Sequence, residues 1–370
     1  WSRIVDEKKV TGYALSLIQD PVEPNLIFVG TEQGLWISFD NGNSFQQFRN
    51  GYPSVSTYDL AIQEREADLA IATFGRALWI LDDIRPLRKI AAGKGHLFTQ
   101  KITAFEAPQA YQANIKNPSG IEYSIWGSYE GENRKTGAAL SFFINKTSAD
   151  TGKNKLADTA IVKIYDAGNV QVRTLRIKAD SGFNRFYWGL EGKGVQQQTG
   201  GGGRRGGGRG SNRSGDAEPG GLPVDPGTYK VVLSVVGKDL SDSMLVVVND
   251  DPKAPVSKEV RTAIRKANTR LDTSSLKLVK LTDRLMEADD IVKKIEASFK
   301  DMDQKQVDTL RKTGKAMQDS IKAIREQITG KLQEKQGYGN VPQVTVNSIV
   351  GEARSYVLSK NIAPGTQEER

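Results

Sequence analysis

Residues 38–45 read SFDNGNSF and follow directly on two short apolar runs, LIFVG at 26–30 and LWI at 35–37. Asp40 stands where its carboxylate can accept backbone hydrogen bonds from its own turn, and Gly42 permits a positive φ. Phe45 is placed to tuck an aromatic ring under the loop, and Ser38 opens it. The string is therefore a self-contained turn between strands, a marker of fold before it is a marker of chemistry.

Outward from that turn the same order of elements appears twice. YALSLI (13–18), the turn-rich QDPVEPN, LIFVGT, GLWISFD and SFQQF are followed by VSTYDLAIQ (55–63), a turn at 64–67, DLAIATFG and RALWILDD. LIFVGTEQGLWISFD at 26–40 aligns with LAIATFGRALWILDD at 69–83, an offset of 43 residues. A period of about 40–45 residues with four short strands per unit is the signature of β-propeller blades, none of which can bury its faces alone. The chain holds fewer than two full blades, so the rest of the ring is expected from sequence outside it. SFDNGNSF is then the Asp-box turn of a penultimate blade, carried by Ser38, Asp40, Gly42 and Phe45. Trp36, Ile37, Trp79, Ile80 and Leu81 are expected mostly between neighbouring blades. The chain opens at Trp1, directly in strand-like sequence with neither Met nor leader, and reads as a C-terminal portion.

Composition narrows the chemistry. The 370 residues allow two or three domains with cores of their own, and hydrophobic content of 38% is ordinary. No apolar run approaches the roughly 18 residues that a membrane helix needs. With no cysteine and one histidine, His96, thiolate catalysis, disulfides, Cys-based zinc sites and two-histidine metal sites are excluded within this sequence. His96, in KGHLF, reads as a surface or strand-end residue. The net charge of +8 raises nucleic-acid binding, but Arg204, Arg205, Arg209 and Arg213 lie in one glycine-rich loop. Much of the remaining positive charge alternates with Asp and Glu on helices, the pattern of a solvated surface.

Residues 85–110, with Pro86 and GKGH, read as a connector leaving the propeller. A second all-β segment follows in IEYSIWG, AALSFFIN, AIVKIYDAG, VQVRTLRI, FNRFYWGL, GTYKVVLSVVG and DSMLVVVND, the pattern of an antiparallel sandwich of about seven strands. Into it is spliced the low-complexity stretch QQQTGGGGRRGGGRGSNRSGDAEPGG, expected to be disordered. Its G-x-G-x-x-G match from Gly201 lacks the helix that a phosphate site requires. From Ser257 the apolar period becomes 3.5, running Val260, Ile264, Ala267, Leu271, Ser274, Leu278, Leu281 and onward through Ile295 to Phe299. A second seam runs Val307, Leu310, Gly314, Met317, Ile321, Ile324, Ile328 and Leu332, with Asp303 as expected N-cap. These make a long antiparallel helical hairpin, with a third helix expected over 346–360.

The fold class is thus multidomain, mainly β plus α. Its expected parts are terminal propeller blades (1–90), a linker (91–120), an Ig-like sandwich (121–252) containing the Gly/Arg loop 196–218, the hairpin (256–335), and a short helix and tail (336–370). Through SFDNGNSF and TFGRALWILDDI the first part resembles the closing blades of BNR or sortilin (VPS10)-like propellers of Bacteroidetes, a group that includes glycosyl hydrolases. The middle part is similar to the FlgD-type Ig-like module through AIVKIYDAGNVQVRTL, GFNRFYWGLEGKG and PGTYKVVL. The resemblance implies an extracytoplasmic location, secreted, periplasmic or outer-membrane associated, and a propeller that binds a ligand or partner.

Two functional expectations follow. The first is a scaffold that binds a protein or glycan, completed by its own N-terminal propeller part and docking a partner through the hairpin, with no catalysis in this segment. The alternative is a sialidase-like glycoside hydrolase whose carboxylates lie in the missing blades, since no acid and nucleophile pair can be assembled here. Asp59, Arg76, Asp82 and Asp83 are the propeller-surface candidates, and turn capping is the commoner role for the last two. RNA binding through the Gly/Arg loop is disfavoured because no Phe or Tyr interleaves its arginines. No cofactor or metal is expected: Asp250-Asp251 and Asp289-Asp290 lack calcium-loop spacing. Asn145-Lys146-Thr147 is a formal glycosylation sequon read as chance.

Overall fold

The computed structural model describes residues 3–93, 99–113, 135–145, 159–195, 218–236, 240–299, 304–331, 343–359 and 362–365. The chain divides into two compact units, one of residues 1–190 and 224–249 and one of 191–223 and 250–370. It is a mixed β plus α chain of several sheets with long helices toward its C-terminal end.

The first unit opens with two antiparallel meanders. β1 (Ala14–Gln19), β2 (Ile27–Thr31), β3 (Gly34–Ser38) and β4 (Gln46–Phe48) form a sheet in chain order. β5 (Thr57–Gln63), β6 (Asp68–Thr73) and β7 (Leu78–Leu81) form the second, three-stranded one. Leu26, Phe28, Leu35 and Ile37 share one core with Leu60, Leu69 and Ile71. Gly30 permits the close approach of the two sheets, because a Cβ there would stand 2.5 Å from the Thr57 carbonyl oxygen. Tyr52 closes this core: its hydroxyl bonds Thr57 Oγ1 at 2.6 Å and its ring meets Trp79 edge-on at 5.5 Å. Burial raises the Tyr52 pKa, against the lowering effect of the Thr57 bond.

The repeat is imperfect at one turn. Thr31 pairs Gly34 across a two-residue turn, whereas Thr73 sends both its N–H and its hydroxyl to the Ala77 carbonyl across Phe74, Gly75 and Arg76. Gly75 and Ala77 take positive φ there. In the second meander Leu69, Ile71, Trp79 and Leu81 turn to the core. Ala70, Ala72, Leu78 and Ile80 turn the other way, and Leu78 and Ile80 are 63% and 53% exposed. Ile80 is therefore on an open face, apart from Trp79 and Leu81.

The stretch read as a connector carries three elements. Pro86 starts a helix instead of breaking regularity: α1 (Arg85–Ala92) has it in the first turn, where a missing N–H costs nothing. β8 (Ile102–Ala104) is fully buried, and β9 (Ala110–Gln112) is an edge strand. His96 lies outside the described residues.

β10 (Ala138–Ile144), β11 (Thr159–Tyr165), β12 (Gln171–Lys178) and β13 (Gly182–Trp188) follow. Then come β14 (Glu191–Lys193), β15 (Gly220–Pro223), β16 (Gly227–Val235) and β17 (Ser241–Asp250). The sheet β13-β10-β8 and the sheet β12-β11-β16-β17-β9 enclose one core from Leu140, Phe142, Val162, Ile164, Val231, Leu233 and Val246, with Trp188 edge-on to Tyr229. Alternation of period 2 in these strands puts the β-branched residues on that shared inner face. The expected strand IEYSIWG and Lys146-Thr147 of the sequon lie outside the described residues, as do 196–217 of the Gly/Arg stretch.

In the second unit β14 pairs β15, and α2 (Lys258–Ser298), α3 (Gln304–Thr329) and α4 (Val346–Ser359) pack on one another. Ser257 caps α2 by accepting from the Val260 N–H at 3.3 Å. Thr345 and Ser348 cap α4 reciprocally, each side chain meeting the other's N–H. Asp303 lies outside the described residues. The α2 seam differs from the expected one. Ser274, Leu281 and Ile295 are exposed, while Asn268, Ser275 and Thr282 are buried beside Leu271, Leu278, Leu285 and Val292. The buried stripe is rotated by one row because the Ser275 and Thr282 hydroxyls bond back to the carbonyls of Leu271 and Leu278, each at 2.9 Å, which makes them small and self-satisfied. On α3, Val307, Gly314, Ile321 and Ile328 face inward, while Leu310, Met317 and Ile324 are exposed.

Candidate functional site

The turn at 38–45 is built around two side chains. The Ser38 hydroxyl, fully buried, donates to Asp40 Oδ1 at 2.8 Å and accepts the Gly42 N–H at 2.8 Å. Asp40 in turn accepts the Ser44 N–H at 2.8 Å and the Ser44 hydroxyl at 2.6 Å. Asn41 and Gly42 supply the positive φ angles, and Phe45 is half-buried. Burial is the largest influence on Asp40 and pushes its carboxyl up, but the bonds from Ser44 and Ser38 together hold it below the usual value. A carboxylate engaged this fully by its own turn is a structural device.

Asp82 and Asp83 are brought to a second cluster, at the end of β7 in the first unit. Asp83, buried with φ of 54°, takes the Arg85 guanidinium on Oδ1 at 2.8 Å. Its N–H donates to Asp68 Oδ1 at 2.9 Å. Arg185 of β13 arrives from the sandwich. Its Nη1 donates to the Asp82 carbonyl at 3.0 Å, its Nη2 to the Asp83 carbonyl at 3.2 Å, and its Nε to Ser141 Oγ at 2.9 Å. The guanidinium also lies 3.6 Å from Asp83 Oδ2. A parallel tie runs from α1, where Lys89 Nζ donates to the Ala104 carbonyl of β8 at 2.7 Å and sits over the Phe105 ring.

A cavity of about 50 Å³ lies here, lined by Asp82, Asp83, Gln109, Lys135, Arg185 and Tyr187 among others. Ligand sites for drug-sized molecules span roughly 300–1,000 Å³, so this one has room for water or a small ion and not for a sugar ring. What the cluster does chemically is fasten the second meander to the sandwich: one forked cation spans two main-chain carbonyls and a hydroxyl.

Asp59 and Arg76 are not part of it. Asp59 is exposed on β5 and bonds the neighbouring Leu60 N–H, while Arg76 is exposed in the β6–β7 turn, its carbonyl accepting Trp79 Nε1 at 3.0 Å. Arg185, Ser141, Lys135 and Gln109 were missed from sequence. The one local signal was Arg85, two residues from Asp83. Asp251 receives the Lys253 N–H at 2.8 Å, Asp250 pairs with Arg261, and Asp289 pairs with Lys293 at 2.6 Å, so these aspartates serve turns and helix faces. No group of three or more metal-ligating side chains occurs among the described residues, and no helix among them is long and apolar enough to cross a membrane.

No family model and no curated protein match the chain. Among solved structures it is similar to PorZ, an essential bacterial surface component of the type-IX secretion system of Porphyromonas gingivalis, at 14% identity and a TM-score of 0.19. The match covers 64% of this chain and 22% of PorZ.

Proposed function

We propose that this chain is the closing part of a secreted or cell-envelope scaffold protein: terminal blades of a β-propeller, an Ig-like sandwich, and a helical hairpin that docks a partner. The propeller binds a protein or glycan ligand, and this segment supplies structure instead of catalysis. The observation that carries the reading is the open face of the second meander. Ala70, Ala72, Leu78 and Ile80 form an uncharged sheet surface beside a finished core. A sheet packs such a face against another sheet, which here is the N-terminal part of the same protein. The repeat at 43 residues and the self-bonded turn at 38–45 support the same assignment. The aspartates at the end of β7 are committed to the joint with Arg185, which fits a scaffold better than an acid and nucleophile pair.

The test uses the full-length protein in its native host. Fractionation is expected to place it in the envelope or medium, and a glycan panel is expected to show retention without turnover. Ile80→Asp is expected to destabilise the full-length protein while leaving this segment alone nearly unchanged. A cytoplasmic location, or equal effects of Ile80→Asp in both contexts, would overturn the reading; turnover of a glycan would replace it with the hydrolase.

A further inference from the structure

Two asparagines of the first unit precede glycine, Asn41 before Gly42 and Asn50 before Gly51, and the sequence has no other such pair. Asparagine is among the chemically labile residues, and glycine after it removes the Cβ that would hinder attack by the main-chain nitrogen. That nitrogen adds to the Asn Cγ carbonyl, a new C–N bond closes a five-membered succinimide, and ammonia leaves. Water then opens the ring at one carbonyl to give aspartate, or at the other to give isoaspartate, whose main chain is one carbon longer. The sum is asparagine plus water to aspartate or isoaspartate plus ammonia, and no other reactant is needed. The nitrogen sheds its proton in the attack, so an N–H that donates to a protein acceptor is withheld until that bond opens.

The fold treats the two pairs differently. Gly42 is buried and its N–H donates to Ser38 Oγ at 2.8 Å, while the Asn41 N–H is held by the Asn25 carbonyl at 3.0 Å. Two residues on, Asn43-Ser44 is guarded in the same way, with the Ser44 N–H on Asp40 Oδ1 at 2.8 Å and Asn43 Nδ2 on the Asp40 carbonyl at 2.7 Å. Asn50 and Gly51 stand just past β4, both exposed, and neither has a hydrogen bond among the described residues. Gly51 has a φ of 73°, and nothing lies within 4 Å of where its Cβ would be, so the loop has room for the ring. Tyr52 is anchored independently by Thr57 and Trp79, so a change at residue 50 leaves the core closed. We propose that Asn50 is a site of spontaneous deamidation in the folded protein, and that Ser38, by holding the Gly42 N–H, spares Asn41. The reaction sets a new carboxylate beside Arg49 and, as isoaspartate, adds a main-chain carbon between β4 and Tyr52. The Ser38 hydroxyl thus protects the turn chemically as well as shaping it.

The test incubates the whole chain in neutral buffer and then cleaves it after glutamate at mildly acidic pH, where the reaction halts. The fragment 33–64 carries both asparagines, and tandem mass spectrometry reads the gain of one mass unit at each. An unincubated sample carried through the same cleavage sets the baseline. Asn50 is expected to convert at least about tenfold faster than Asn41, because one hydrogen bond of ordinary strength suppresses the free N–H by about a decade. Conversion at Asn50 should quicken as pH rises and vanish in Asn50→Gln. In guanidinium chloride both pairs lose the fold and should convert alike. Ser38→Ala is expected to bring Asn41 within about threefold of Asn50, since the Gly42 N–H is then released. If that variant does not fold, the comparison of native and denatured wild type decides. Equal conversion of the two asparagines in the folded protein, or none at Asn50, overturns the proposal. So does a difference that persists in guanidinium chloride, which would place its cause outside the fold. An Asn41 that stays spared in folded Ser38→Ala overturns the role given to Ser38.

Discussion

Arg185→Ala tests whether the joint in the first unit is held by one forked side chain. The Arg185 side chain is 21% exposed, and its guanidinium makes three bonds to neutral acceptors, at 2.9, 3.0 and 3.2 Å. At about 1–1.5 kcal/mol net for each, their loss costs about 3–4 kcal/mol, while the 3.6 Å approach to Asp83 adds less than about 1 kcal/mol because Arg85 still neutralises that carboxylate. The effect is local, so the assay is native-state hydrogen exchange. The Ile84 amide, bonded to the Ala67 carbonyl at 2.7 Å, reports the meander side, and the Phe105 amide, bonded to the Ser141 carbonyl at 3.0 Å, reports the sandwich side. A loss of that size makes exchange at these amides about 300-fold faster, at a decade for every 1.4 kcal/mol. Val231, in the middle of β16, should change far less. Arg185→Lys keeps the charge but reaches one acceptor at a time, so it should recover about a third of the loss. Exchange at Ile84 altered by less than about tenfold in Arg185→Ala would refute the joint, and a lysine variant equal to wild type would assign the effect to charge alone.

Asp40→Asn should lower the melting temperature at neutral pH. Because the folded carboxyl lies below its unfolded value, its stabilisation is complete above the unfolded pKa and is lost as pH falls through the folded one, so the two proteins' melting temperatures should converge in acid. Gly30→Ala should destabilise the first unit by about 2–3 kcal/mol in thermal melts, since its Cβ would meet the Thr57 carbonyl and Ser16 Oγ. Arg354→Ala should free α4 and deprotect its amides, at a cost of about 1–3 kcal/mol for a charge-assisted bond that is only partly exposed.

The meanders were legible because their signals are local: alternation, a repeat, and a turn whose ligands all lie within seven residues, Ser38 to Ser44. The joint was not, because Arg185 reaches back 103 residues to Asp82, and no spacing rule marks such a partner. β8 and β9 were missed because three-residue strands are shorter than any window that shows a period of 2. In the hairpin the helices and their period were plain, but hydrophobicity put Leu281 and Ile295 in the seam and left Ser275 and Thr282 out. A side chain's polarity counts against burial only while its hydroxyl needs an outside partner, and both of these find one a turn away.

Among the described residues, one uncovered apolar surface has a chemistry that favours a sheet as its neighbour. The sheet face around Leu78 and Ile80 is carried by short residues, Ala61, Ala70 and Ala72, with Asp59 at its margin. Small side chains across a sheet let another flat layer approach closely, and a neighbouring layer of the same protein is always present at high effective concentration. Salt should therefore leave the proposed sheet contact, which buries no charge row, unaffected or strengthened.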